Sequence, residues 1–145
     1  MNSSTQRRLD ILFQEFPMLC AGATSNDELR ELSDALGYTL PSEYESFIRR
    51  YGGAMVGSLP IYGVRPSEVM GDRDTVVEVN RRFREDQWPG VGGWLIISVD
   101  GSGNPLGLAT DGRLMVSNLD SNTILAWASS FDDFLVQQLD EAKAG

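Results

Sequence analysis

Asp100, Ser102, Asn104 and Asp111 fall at positions 1, 3, 5 and 12 of a calcium-binding loop, a spacing that could gather hard oxygen ligands around a cation. Two details argue against that chemistry. Position 6 needs glycine for its sharp turn and holds Pro105, and position 12 needs a bidentate Glu and holds Asp. The flanking residues are also strand-like where such a loop sits between helices. Asp100-Gly-Ser-Gly-Asn therefore reads as a turn between two strands.

Other chemistry is constrained by what the chain lacks. It contains no histidine, so Ser-His-Asp and Cys-His catalysis and histidine-ligated zinc are excluded. Cys20 is the single cysteine, which leaves neither a CxxC redox pair nor an intrachain disulfide. There is no GxxxxGK(S/T) phosphate loop and no GxGxxG following a strand. No metal and no cofactor is expected. Hydrolysis by a carboxylate pair needs only Asp and Glu and stays open, because 21 acids cannot be sorted into a pair by position alone. Arg81, Arg82 and Arg84 could hold an anion, but Glu78, Glu85 and Asp86 beside them favour a salt-bridged solvent face. Trp88 stands in a Gly/Pro loop next to charged residues. It is either an interaction hot spot or a plug in the core.

The elements that position these residues follow from periodicity and caps. Leu9, Leu12, Phe13 and Phe16 define a first amphipathic helix over residues 5–15, ended by Pro17. Ser25 and Glu28 form a capping box for a second, with Leu29, Leu32, Ala35 and Leu36 inward and Gly37 as its stop. After Leu40-Pro41, Ser42 and Glu45 suggest a second capping box. Tyr44, Phe47, Ile48 and Tyr51 then recur at i, i+3, i+4 and i+7 before Gly52-Gly53. Met55–Ser58 and Pro60–Val64 read as short strands, and Asp74–Glu85 as a helix with Val76, Val79 and Phe83 inward. Trp94–Val99 is a nearly unbroken apolar strand, expected to be covered on both faces. Pro105–Thr110 and Arg113–Ser117 form a hairpin about a two-residue Asp111-Gly112 turn, and Thr123–Ala128 is the last strand. Ser130 and Asp133 cap a closing helix. The order predicts an α+β fold in a single domain over 1–145: N-terminal helices, a mid-chain helix, a mainly antiparallel sheet of about five to six strands and a C-terminal helix.

Charge narrows the partners. The formal net charge is -9. The excess sits on residues 26–45, with six acids against Arg30, and on residues 100–145, with seven acids against Arg113 and Lys143. Direct binding to nucleic acid or to an anionic membrane surface is disfavoured, since both need a basic face. A basic protein partner would be steered toward such a surface, although an acidic face that only maintains solubility is the plainer reading. The N-terminal run Met-Asn-Ser-Ser-Thr-Gln-Arg-Arg has no secretory apolar region, and a cytoplasmic setting is expected.

Taken in order, these features resemble the SUKH superfamily, the group of a fungal cell-wall synthesis regulator and many bacterial immunity proteins. Leu40-Pro41, Tyr44, Phe47, Ile48 and Gly52-Gly53 carry the likeness. It continues through Ile61-Tyr62-Gly63, Trp94–Val99, the Asp100–Asn104 turn, the hairpin and Ser130-Phe131-Asp132-Asp133-Phe134-Leu135, over residues 25–140. The resemblance implies a non-enzymatic protein that binds and neutralises a cognate polymorphic toxin, often a nuclease, by stoichiometric contact. It supplies no catalytic residue. The contact residues expected for that role are the loop-borne Trp88, Asp86 and Asp120, followed by Asp72 and Asp74. The alternatives are an intracellular scaffold or regulator of the same fold and, behind it, a carboxylate-dependent hydrolase.

Overall fold

The helix α3, Ser42–Tyr51, is the post on which the other elements lean. Its i, i+3, i+4, i+7 face is buried in full: Tyr44, Phe47, Ile48 and Tyr51 are all core residues. Burial of each such side chain contributes about 1.5–3 kcal/mol. The start of the helix differs from expectation. Pro41 occupies the cap position with extended backbone, its carbonyl accepts the Glu45 N–H at 2.8 Å, and Ser42 is already helical. No Ser42–Glu45 capping box forms, and Glu45 turns instead to Arg49 at 3.0 Å. The end is as expected. Gly52 takes a left-handed φ of 76°, and its carbonyl receives the Val64 N–H at 2.8 Å. Gly63 lies so close that a Cβ there would overlap the Gly52 carbonyl oxygen.

The computed structural model describes residues 1–71 and 73–144, the side chains of 143 and 144 excepted. Around α3 are α1 (Ser3–Glu15), capped by Asn2, and α2 (Asn26–Leu36), capped by the Ser25–Glu28 box. A short 3-10 helix at Pro17–Leu19 separates them. The strands β1 (Ala54–Val56) and β2 (Leu59–Ile61) form an antiparallel pair. The helix α4 (Val76–Glu85) precedes β3 (Leu95–Val99), β4 (Pro105–Leu108), β5 (Leu114–Asn118) and β6 (Thr123–Ala128), and α5 (Phe131–Ala144) closes the chain. The last four strands make one antiparallel sheet in sequential order. β2 adjoins β3 through Tyr62 N–H to Ile97 O at 2.8 Å and Ser98 Oγ to Pro60 O at 2.5 Å. The expected α+β architecture is therefore present, with six strands among the described residues where about five to six were expected.

Aromatic edges lock the layers together. Phe47 meets Tyr51 at 5.1 Å and Phe131 of α5 at 5.6 Å between ring centroids, and Phe13 of α1 meets Tyr51 at 4.9 Å. The Tyr44 hydroxyl donates to Tyr62 O at 2.6 Å, tying α3 to the end of β2. Burial pushes that phenol far above its ordinary pKa. On the outside, Asn2 N–H and Thr5 Oγ1 donate to Asp132, and Arg8 pairs with Asp140, so α1 and α5 run together. The β4–β5 turn is longer than the Asp-Gly pattern suggests. Ala109 and Arg113 close it at 2.9 Å around three residues, with Gly112 at φ 90° taking the left-handed position that such loops require.

Candidate protein-binding surface

The segment after α4 is fixed by Trp88. Asp86 ends the helix, its N–H bonded back to Arg82 O and Arg84 O, and Gln87 turns the chain at φ 54°. The Trp88 ring then stands edge-on to Phe83 at 5.1 Å, while its indole N–H donates to Ser117 O on β5 at 3.1 Å. Ser117 Oγ returns a bond to Pro89 O at 2.6 Å. Gly90 lies against Ile124 of β6, where a Cβ would overlap the Ile124 side chain. The loop is thus stapled across the last rungs of the β5–β6 hairpin, where Ser117 pairs with Ile124 and Asn118 with Thr123.

Of the candidate contact residues, three lie on these segments. Trp88 is half-buried, Asp86 is exposed, and Asp120 is exposed in the turn joining β5 to β6. Asp74 lies apart, before the first turn of α4 and about 15 Å from its far end. Its carboxylate accepts from Arg82 at 2.7 Å and is mostly covered. Asp72 lies outside the described residues.

The same corner holds apolar groups that periodicity does not identify. Leu119, Ile124 and Leu125 are 50%, 48% and 59% exposed. The run Thr-Ile-Leu-Ala-Trp-Ala has no polar alternation, so its sequence marks a strand without saying which side faces water. The groups that could have revealed it are non-local, because exposure here depends on β6 being the last strand of the sheet.

Charged and chemically suggestive groups elsewhere are occupied in holding the fold. Asp100 Oδ1 accepts the Ser102 and Asn104 N–H groups, each at 2.9 Å, and Oδ2 accepts from Asn104 Nδ2 at 3.1 Å. This is the carboxylate of a turn. Asp111 stands at the opposite end of β4, bound to Arg113 at 2.7 Å, and the Arg113 N–H together with that guanidinium holds its carboxyl below the usual range. Among the described residues no group of three or more His, Cys, Asp or Glu is placed to hold a metal ion. The arginines of α4 are divided: Arg82 faces Asp74, while Arg84 donates to Trp94 O at 2.9 Å.

A groove of about 510 Å³ bounded by Tyr38, Arg84, Trp94 and Leu108 has no carboxylate among the described residues that line it. Two others each contain two acids, Asp34 with Glu45 and Glu28 with Glu31. In each, one acid is neutralised, Glu45 by Arg49 at 3.0 Å and Glu28 by Arg65 at 3.1 Å. These grooves offer nothing to support carboxylate-pair hydrolysis. Among the described residues no helix is long and apolar enough to cross a membrane.

The sequence profile of the SMI1 / KNR4 family (SUKH-1) matches residues 23–137, which spans α2 to most of α5. No curated protein matches the chain significantly in sequence.

Proposed function

The chain belongs to the SMI1 / KNR4 family (SUKH-1), and on that premise we propose that it is an immunity protein that binds a cognate toxin domain and neutralises it by stoichiometric contact. The observation that carries the reading is the corner built by the 86–90 loop and the β5–β6 hairpin. It combines exposed apolar groups, Leu119, Ile124 and Leu125, with the carboxylates Asp86 and Asp120. Apolar area with a charged rim is the anatomy of a protein interface. The net charge of -9 supports a basic partner, such as a nuclease domain, through faster and more selective encounter. In this reading Asp86 and Asp120 contact the toxin, Trp88 holds the loop and offers its exposed edge, and Asp74 contributes from a distance. The proposed setting is the cytoplasm of the cell that makes the toxin.

The test is co-expression with the toxin domain encoded beside this chain's gene, followed by calorimetric titration of the two purified proteins. Survival of the cells and a one-to-one end point are expected. Cell death despite full expression, or the absence of binding, overturns the proposal.

A further inference from the structure

The two sides of the sheet are finished differently. On the β3 side, Asn80 of α4 donates Nδ2 to Ile96 O and accepts Ile96 N–H at Oδ1, both at 2.8 Å, so a side-chain amide completes the rung. Tyr62 N–H and Pro60 O serve the next residues. Beyond β2, β1 is met by a bridge from Cys20 to Ala54 and by Ala21 N–H to Gly53 O at 2.8 Å. β6 pairs with β5 alone among the described residues, and Thr123–Ala126 are all exposed. An edge strand leaves alternate N–H and C=O groups projecting outward without strand partners.

Edge strands are ordinarily guarded by charge, proline or a bulge. β6 contains no charged residue and no proline, and its one register shift lies at the Trp127 end, past the exposed stretch. Ile124 pairs with Ser117 and Leu125 with buried Val116, so the two side chains put apolar surface on both faces of the same edge. Three features therefore coincide: outward backbone groups with no strand partner among the described residues, apolar side chains on either face, and no guard. Together they form the surface that strand addition uses, with backbone bonds for affinity and flanking side chains for selectivity.

We propose that the free edge of β6 is the docking strand of this protein, and that an extended, basic segment of the partner pairs with it as an added strand. The inference rests on the function proposed above for the partner's being a basic protein. Charge selects this occupant over a second copy. Asp120 stands at the head of β6 and Asp133 borders the groove beside its foot, while the nearby cation Arg113 is held by Asp111. Antiparallel pairing of two β6 strands would set Asp120 of one copy toward Asp133 of the other, with a net charge of -9 on each. A partner segment with β-branched residues at its centre and Lys or Arg at both ends meets carboxylates instead.

The experiment uses the full chain and the catalytically disabled toxin domain encoded beside its gene. Amide hydrogen exchange is read with and without the toxin domain, and binding is titrated for wild type, Leu125→Lys, Leu125→Glu and Asp120→Lys. Expected are slowed exchange across Thr123–Ala126 in the complex and at least about tenfold weaker binding for Leu125→Lys. Leu125→Glu should lose less than Leu125→Lys, since its charge attracts a basic segment, and all three variants should melt like wild type. If wild type binds but the β6 amides exchange as in the free chain, the inference falls and the proposed function stands. A dimer in sedimentation, with β6 protected in the absence of toxin, makes a second copy the occupant and overturns it. No binding by wild type overturns the proposed function instead, and the basic partner with it.

Discussion

The side-chain amide of Asn80 forms a two-way pair with the backbone of Ile96, donating at 2.8 Å and accepting at 2.8 Å, and so stands in for a strand at the edge of β3. Asn80 is 1% exposed and also donates to Val76 O at 2.8 Å. Asn80→Ala leaves the buried Ile96 N–H and C=O without this partner, at about 1–3 kcal/mol for each group. The expected loss is about 2–6 kcal/mol, read as a lower urea midpoint at unchanged slope. Asn80→Asp retains the acceptor, loses the donor and buries a carboxylate, so it should cost at least as much at neutral pH. A stability within about 0.5 kcal/mol of wild type for either variant would show that the amide pair does not close that edge.

Asn80 also shows where reading the sequence stops. Val76, Val79 and Phe83 mark the inner face of α4 because they are apolar at helical spacing, and all three are buried. A polar residue between them carries no such signal; its burial follows from the Ile96 backbone beside it, which is a non-local fact. Local patterns can also miss: the Ser25–Glu28 box forms, whereas the equally local Ser42–Glu45 box does not, since Pro41 takes the cap position and Ser42 already lies inside the helix. All four buried residues of α3 were legible from spacing. The exposed edge of β6 was not, because nothing in Thr123–Ala128 encodes which strand comes last in the sheet.

Phe47 has no exposed surface and touches the rings of both Tyr51 and Phe131. Phe47→Ala removes the transfer energy of the ring, leaves a cavity between α3 and α5, and should cost about 3–5 kcal/mol. Phe47→Leu retains most of the volume and should cost markedly less. Denaturant unfolding of both variants checks this; a loss under about 1 kcal/mol for Phe47→Ala would mean that the helix presents another face to the core.

Asp10 couples stability to acid. Its Oδ1 accepts from Arg50 Nε at 2.9 Å and the Tyr51 hydroxyl at 2.7 Å, and its Oδ2 accepts from Arg50 Nη2 at 2.7 Å. The Arg50 hydrogen bonds, opposed by partial burial and aided by Tyr51, hold the carboxyl below its ordinary value. A folded pKa below the unfolded one gives stability that is present above the unfolded value, about pH 4, and is lost as pH falls through the folded value. The Tyr51 phenol is pushed up by burial and then by Asp10. That contribution is present below about pH 10 and is lost as pH rises past it. Asp10→Asn should cost about 1–2 kcal/mol at neutral pH and flatten the acid limb of stability below about pH 4. Urea midpoints measured across that range check it, and an acid limb as steep as wild type would remove Asp10 from the account.

Trp88 joins the fold to the proposed interface, and two substitutions separate its roles. Trp88→Phe preserves an aromatic edge against Phe83 but deletes the indole bond to Ser117 O. One neutral hydrogen bond contributes about 0.5–1.5 kcal/mol, so this variant should be only modestly less stable. Trp88→Ala also removes the ring, and the 86–90 loop is then held to β5 by the Ser117 bond to Pro89 O. About 3 kcal/mol or more should be lost if the ring is the staple. Because Gly90 rests on Ile124, freeing the loop also disturbs the head of β6. Binding of the toxin domain should therefore follow loop position: close to wild type in Trp88→Phe and much weaker in Trp88→Ala at a temperature where both are folded. Equal loss of binding in the two variants would instead show that the indole bond to Ser117 O, and not the ring, sets the loop position, and unchanged binding in both would place the interface away from this loop.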